Sequence, residues 1–318
     1  VSNHDEPADA TRAPRVVLAG LCTVDLVQRV AELPGPGGKT QSTGMAVAAG
    51  GPASNAAVTV AALGGHARLL TVLGRHPLAE LARADLTRHR VEVVDVLPER
   101  ADPPPVSAVA VRERDGERSV VSPNAAGVDL PAPVLAGLAD QLAGADAVLL
   151  DGHHPALAVA VASAARALGV PVVLDAGSWK PVLTELLPLV DVCACAEGFR
   201  LPEHPDGPAT EAALHRIGIP VVTRTGGPAP VRWSCRRPGP TGAELVSGCC
   251  PVPAVTARDT LGAGDVWHGA LVHGVARRRG VPGPGVLPEL VRAANQVAAV
   301  RVRRIGPRAW LADLPARP

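Results

Sequence analysis

Tyrosine is missing from this sequence altogether, and phenylalanine and methionine occur once each. Aromatic residues make up 2% of the 318 residues, which removes the stacking platforms that single-stranded nucleic acid needs. Lysine is nearly as scarce: it stands only at Lys39 and Lys180, and the other cations are scattered arginines in a chain of net charge +1. A nucleic-acid footprint would be a broad basic stripe. The short cluster Arg277-Arg278-Arg279 falls instead at the end of an expected helix, where cations complement the dipole. No apolar run approaches the roughly 20 residues of a membrane helix. The start, Val1 to Pro14, is polar and partly acidic and lacks the basic head and apolar stretch of a secretory signal. It reads as a disordered leader, residues 1–14, with a cytoplasmic location expected. The cysteines (Cys22, Cys193, Cys195, Cys235, Cys249 and Cys250) have neither zinc-site spacing nor nearby histidine partners, and they outline no disulfide framework.

What is present is a regular alternation. Short apolar strands are expected at Val16–Leu21, Arg68–Leu73, Ala147–Asp151, Val170–Asp175, Asp191–Cys195 and Pro220–Thr225. Between them lie helical stretches at Pro52–Leu63, Leu78–His89, Pro155–Leu168 and Ala209–Ile217, and two longer ones at Ala263–Arg278 and Leu287–Arg301. Strand–helix–strand order with short loops predicts an α/β fold, a three-layer Rossmann-like sandwich with a mostly parallel central sheet, over residues 15–318. One segment breaks the rhythm. Val106–Arg112 and Glu117–Ser122 flank Glu113-Arg114-Asp115-Gly116, whose Asp-Gly is a hairpin signal. With the extended runs Val24–Val30 and Met45–Ala49 it predicts a small projecting antiparallel sheet, a lid built from about residues 24–49 and 103–124. Its open edges predict a homodimer through the lid.

Two phosphate-binding signatures can be set aside. Gly38-Lys39-Thr40 has the tail of a P-loop, but Leu33 stands where the first glycine must be, and Pro34 and Pro36 stiffen the loop between. No strand runs into the Gly-x-Gly-x-x-Gly turn of a dinucleotide fold. The run Asp259-Thr260-Leu261-Gly262-Ala263-Gly264-Asp265 is different, because small residues open a long helix there. Unpaired amides at such a start attract negative charge. Asp265 could simply cap the helix. Capping accounts for neither the flanking glycines nor Asp259, whereas phosphoryl transfer needs both a ring of amides and a carboxylate that takes a hydroxyl proton. A second cluster, Gly50-Gly51-Pro52-Ala53-Ser54-Asn55, also opens a helix; by itself it reads equally well as a turn with a cap. His153-His154 follows an expected strand and reads as a pair of exposed loop histidines.

Taken together, Gly50-Gly51…Asn55-Ala56-Ala57 and Asp259 to Asp265 resemble the two signatures of the ribokinase-like (PfkB) family of carbohydrate kinases, over nearly the whole chain beyond the leader. The resemblance implies an ATP-dependent kinase with Asp265 as the base and Gly262, Ala263 and Gly264 as the anion hole. It implies sugar contacts from Asp25, Gly50, Gly51 and Asn55, and nucleotide contacts from Thr223, Thr225, Gly226 and Gly227 together with Gly262 and Gly264. Asp259 matches a residue that helps hold a monovalent cation such as K+. The family's Asn-x-x-Glu motif is replaced here by Ala196-Glu197-Gly198-Phe199, which leaves Glu197 as the carboxylate for Mg2+. This stretch and Asp175 to Lys180 are similar to the ketohexokinase-type branch, so the expected substrate is a ketose or related sugar phosphorylated on a hydroxymethyl group. A nucleoside kinase is the rival, weakened by the shortage of aromatic rings, although Trp179 or Trp267 could stack on a base. A catalytically weak sugar- or nucleotide-binding sensor is the other, prompted by the altered motif.

Overall fold

A computed structural model of the chain describes residues 12–239 and 242–315. Residues 1–11 of the expected leader lie outside the described residues. The chain runs β1 (Arg15–Ala19), β2 (Thr23–Val30), β3 (Ser42–Gly50), α1 (Pro52–Ala62), β4 (His66–Thr71), α2 (Pro77–Arg88) and β5 (Val91–Asp95). Next come β6 (Val106–Arg112), β7 (Arg118–Val121), α3 (Ala132–Ala136), β8 (Ala147–Leu150), α4 (Pro155–Ala167), β9 (Val172–Ala176) and α5 (Leu183–Leu186). The last part holds β10 (Val192–Cys195), α6 (Gly207–Ile217), β11 (Val221–Gly226), β12 (Ala229–Gly239), β13 (Gly242–Cys250), α7 (Ala263–Arg278) and α8 (Leu287–Val302). Among the described residues no helix is long and apolar enough to cross a membrane.

Strand periodicity builds the three layers. In β1, Val16 and Leu18 point into a core shared with α1, α2, α7 and α8, while Val17 and Ala19 point into a second core with α4, α5 and α6. Every central strand therefore has to be apolar on both faces, as in buried parallel sheets. The large sheet has nine strands in the order β13-β12-β11-β10-β9-β8-β1-β4-β5. Its pairings are parallel from β11 to β5, and antiparallel only where β12 joins β11 and β13 joins β12 at one edge. Strand order reverses between β1 and β8, and in open α/β sheets ligands bind beyond the carboxyl ends of the strands at such a switch point.

Asp151, just past β8, locks that point. Its carboxylate accepts the amides of Leu21 (2.8 Å), Ala53 (3.2 Å) and His153 (2.9 Å), tying the end of β1 to the start of α1. The small sheet has the order β3-β2-β6-β7. It is mixed rather than antiparallel as expected: β2 pairs with β6 in parallel, because the chain crosses the large sheet between them, while the hairpin at Asp115-Gly116 is antiparallel. Val27, Val109 and Val111 on its inner face pack with Leu261, so the lid rests on the glycine-rich loop before α7. Arg118 of β7 adds a 2.9 Å bond to Thr260 Oγ1.

Candidate active site

The two glycine clusters meet because α1 and α7 pack against each other unusually closely. A Cβ at Gly269 would lie 2.6 Å from Ala56 O, so only glycine lets the helices approach this far. Their N-terminal turns then touch, and Asn55 Nδ2 donates to Asp265 Oδ2 at 2.9 Å. Asp265 is the acidic residue of the first turn of α7, and its carboxylate is engaged by Asn55 while the N-cap residue Gly262 makes no side-chain cap bond. Burial and the neighbouring Asp175 push the Asp265 carboxyl up from 3.8 to about 6, against a smaller pull from Asn55 and His268. Gly262 starts the helix in the left-handed region (φ 70°). Ala263 N donates to Thr260 O (3.2 Å), whereas the amides of Gly262 and Gly264 have no backbone acceptor among the described residues.

Asp25 sits at the start of the lid strand β2, where Thr23 Oγ1 donates to it at 2.6 Å; burial raises its pKa. Gly50 and Gly51 follow from this placement. A Cβ on Gly50 would fall 2.0 Å from the Asp25 carboxyl carbon, and Gly51 adopts φ 91° with Leu21 O only 2.4 Å from any added Cβ. Asp25, Asn55, Leu261, Gly262, Arg301 and Arg308 line one small cavity. The sugar-contact residues and the base expected from sequence are thus brought together.

Arg308 went unnoticed in the sequence. Its guanidinium donates to Asn55 Oδ1 (3.0 Å), to Ala49 O (2.6 Å) and to Asp85 Oδ2 (2.9 Å). By occupying the amide oxygen it turns the Asn55 nitrogen toward Asp265, so Asp85, Arg308, Asn55 and Asp265 form one chain of contacts. Although burial works the other way, His89 and Arg308 pull the Asp85 carboxyl down to about 2. No motif flagged Arg308, because its partners lie far off in sequence. His268 was also missed. It sits one helical turn beyond Asp265, with Nδ1 2.9 Å from Asp175 Oδ2, and both groups are buried. Burial lowers the His268 pKa, but Asp175 and Asp265 outweigh it and the net shift is upward. The spacing of three residues from Asp265 on an expected helix was the available signal.

The expected nucleotide residues form a second group. Thr223, Thr225 and Gly226 lie in β11 and Gly227 in the turn after it. The Thr223 hydroxyl is buried without a hydrogen-bond partner. Arg224 binds the next loop: it donates to Ala196 O (2.9 Å), Phe199 O (3.0 Å) and the Glu211 carboxylate (2.6 Å). Glu197 in that loop is exposed, which suits a carboxylate that meets Mg2+ through water and nucleotide phosphates. Among the described residues no cluster of three or more His, Cys, Asp or Glu could cage a metal by itself. His154 is buried and His153 half-buried, rather than exposed as expected, because Pro155 starts α4 directly behind them; burial pushes both pKa values down. His153 lines a cavity of about 1050 Å3 with Asn124, Gly152, Ser178 and Lys180.

A fold and site of this kind define a small-molecule kinase, which transfers a phosphoryl group to an alcohol. Comparison with known families narrows the class: the model described as "pfkB family carbohydrate kinase" matches residues 13–313, and the chain belongs to that family. Mouse ribokinase is 24% identical over 97% of this chain and 96% of its own length. The structure of Arabidopsis thaliana ribokinase complexed with ribose and ATP superposes with a TM-score of 0.71 at 22% identity, covering 96% of this chain and 97% of that one. A Burkholderia thailandensis nucleoside kinase in complex with inosine gives 0.65 at 17%, covering 93% and 94%. The chain is therefore a member of the pfkB carbohydrate kinases with a ribokinase-like fold.

Proposed function

We propose that this kinase phosphorylates the hydroxymethyl group of a sugar, a ketose or a close relative, with Asp265 as general base. The observation that carries the reading is the Asp265 carboxylate, held at 2.9 Å by Asn55 and raised to about 6 by its surroundings. A base of that strength is ionised at neutral pH yet takes a proton readily, which is the compromise general-base catalysis favours. Asp25 and Asn55 bind the sugar hydroxyls. The hydroxyl oxygen attacks the γ-phosphorus of ATP, the bond from that phosphorus to the β–γ bridging oxygen breaks, and the hydroxyl proton passes to Asp265. The amides of Gly262 and Gly264 face the charge on the transferred group. Magnesium, when bound with the nucleotide, neutralises phosphate charge; Glu197, Thr223, Thr225, Gly226 and Gly227 belong to that side. The lid closes over the reacting groups and excludes water.

The test is Asp265→Asn in an ADP-release screen across ketoses, aldoses and nucleosides. Turnover of the best substrate is expected to fall by about 100-fold or more. A loss below about tenfold would remove Asp265 from the role of base. Ligand binding with no ADP release from the wild type on any substrate would favour the sensor reading, and a nucleoside as best substrate would overturn the sugar.

A dimer through the lid belongs to the same proposal. The outer face of the small sheet carries a cross-strand row of Val47, Leu26, Ala108 and Val121, with Met45 beside it. Met45 is 67% and Val121 73% exposed, so the face is apolar and open. A second copy of the same face is its natural cover.

A further inference from the structure

The resemblance that assigns Asp259 to a monovalent cation can be checked against the residues themselves, and they do not fit an added ion. Both carboxylate oxygens of Asp259 are taken: Oδ1 accepts Leu261 N at 3.0 Å and Oδ2 accepts Gly306 N at 2.9 Å. A cation is already there. Arg301, near the end of α8, is 2% exposed, and its Nη2 lies 3.5 Å from Asp259 Oδ2. The same guanidinium donates to three main-chain carbonyls: Leu261 O at 2.6 Å, Arg304 O at 3.0 Å and Asp259 O at 3.3 Å. Carbonyl oxygens gathered round one charge, with a carboxylate beside them, are the surroundings that strip and replace the water shell of an alkali ion. A second positive charge in this dry cluster would be repelled by the first.

We infer that the guanidinium of Arg301 is the tethered cation of the Asp259–Asp265 loop, so that this kinase works without a monovalent metal ion. Arginine suits the post because its charge is permanent and its donors are spread in a plane, which lets one side chain bind several carbonyls at once. The group acts as a positioning residue. Leu261 carries one of its carbonyl partners and directly precedes Gly262, so Arg301 sets the turn from which the α7 amides point. Through Asp259 and Gly306 it also fixes the segment that leads to Arg308. Loss of the charge should therefore disturb the amide ring and the orientation of Asn55 together.

The inference rests on the kinase reading only for its rate measurement; a thermal measurement stands apart from activity. The first arm compares melting of the wild type in potassium, sodium and choline chloride at constant ionic strength. Choline and potassium are expected to give the same curve. A midpoint that climbs with potassium alone, as mass action demands of a ligand held only by the folded state, would overturn the inference. In the second arm, ADP release with the best substrate should agree within about twofold in the three salts, and activation of about tenfold or more by potassium would also overturn it. The third arm uses Arg301→Ala, which should lose most activity and regain part of it with added guanidinium or potassium, whereas an unimpaired variant would count against the inference. A generic packing defect would not respond to a small cation. Should Arg301→Ala fail to fold, the wild-type arms decide the matter by themselves.

Discussion

In the role of base proposed for it, Asp265 carries opposed demands, since the burial that raises its proton affinity also makes it costly to ionise. Its folded pKa of about 6 lies above the ordinary 3.8. Below the ordinary value the group is protonated in both states and contributes nothing to the pH dependence. As pH rises through this interval the unfolded chain releases the proton first, so stability declines and the full penalty is reached above about 6. The size of the shift corresponds to about 3 kcal/mol as an upper figure. Asp265→Asn should therefore melt higher than the wild type at pH 8, with the advantage fading toward pH 4. Equal midpoints at both pH values would show that the carboxylate is not strained. The same shift predicts that kcat/KM rises with pH through about 6, the acidic limb being set by deprotonation of Asp265. Arg308→Met offers a companion test, because it frees the Asn55 amide while leaving Asp25, Asn55 and Asp265 in place. Turnover should fall by about tenfold or more with Asp265 intact, since misorientation of a catalytic contact costs that much, and Arg308→Lys should recover part of it.

At the scale of elements, the crossing of α1 and α7 decides whether the site exists. Gly269→Val would place atoms where Ala56 O and Thr59 now sit. Overpacking of that kind costs about 1–3 kcal/mol, which urea unfolding would register. Parting the helices also breaks the Asn55–Asp265 contact, so activity should fall further than the stability loss explains. A variant that is destabilised yet fully active would mean the two helix starts find each other by another route. The parallel strands and the long helices were legible because buried parallel strands are short apolar runs and α7 and α8 have sustained patterns. β12 and β13 were not foreseen: β12 contains Pro230 and Pro238 and several arginines, which read as loop, and the prolines are accommodated because they stand next to the two ends of the strand. β5 was missed because its burial is partial and a charged residue interrupts it. The motif residues of the site were legible from their glycines and carboxylates. Arg301 and Arg308 were not, because a long-range partner leaves no local pattern and an arginine near the end of a helix reads first as dipole compensation, while His268 offered only its three-residue spacing from Asp265.

For the whole molecule, the lid joins two surfaces with different tasks. Its inner valines press on Leu261 beside the catalytic loop, while its outer row of Val47, Leu26, Ala108 and Val121 faces outward. Met45→Glu combined with Val121→Glu should leave each protomer folded and shift the mass by light scattering from dimer to monomer. A wild type that remains monomeric at high concentration would remove the dimer. If the monomeric variant also turns over more slowly, the partner serves to steady the lid.

The bond between Arg308 and Asn55 spans 253 residues of chain. A chain cut between residues 265 and 308 would keep Asp265 and Asn55 and lose the arginine that orients the amide. The separation makes the alignment of the pair a property of the folded chain as a unit, out of reach of any fragment that carries the two motifs alone.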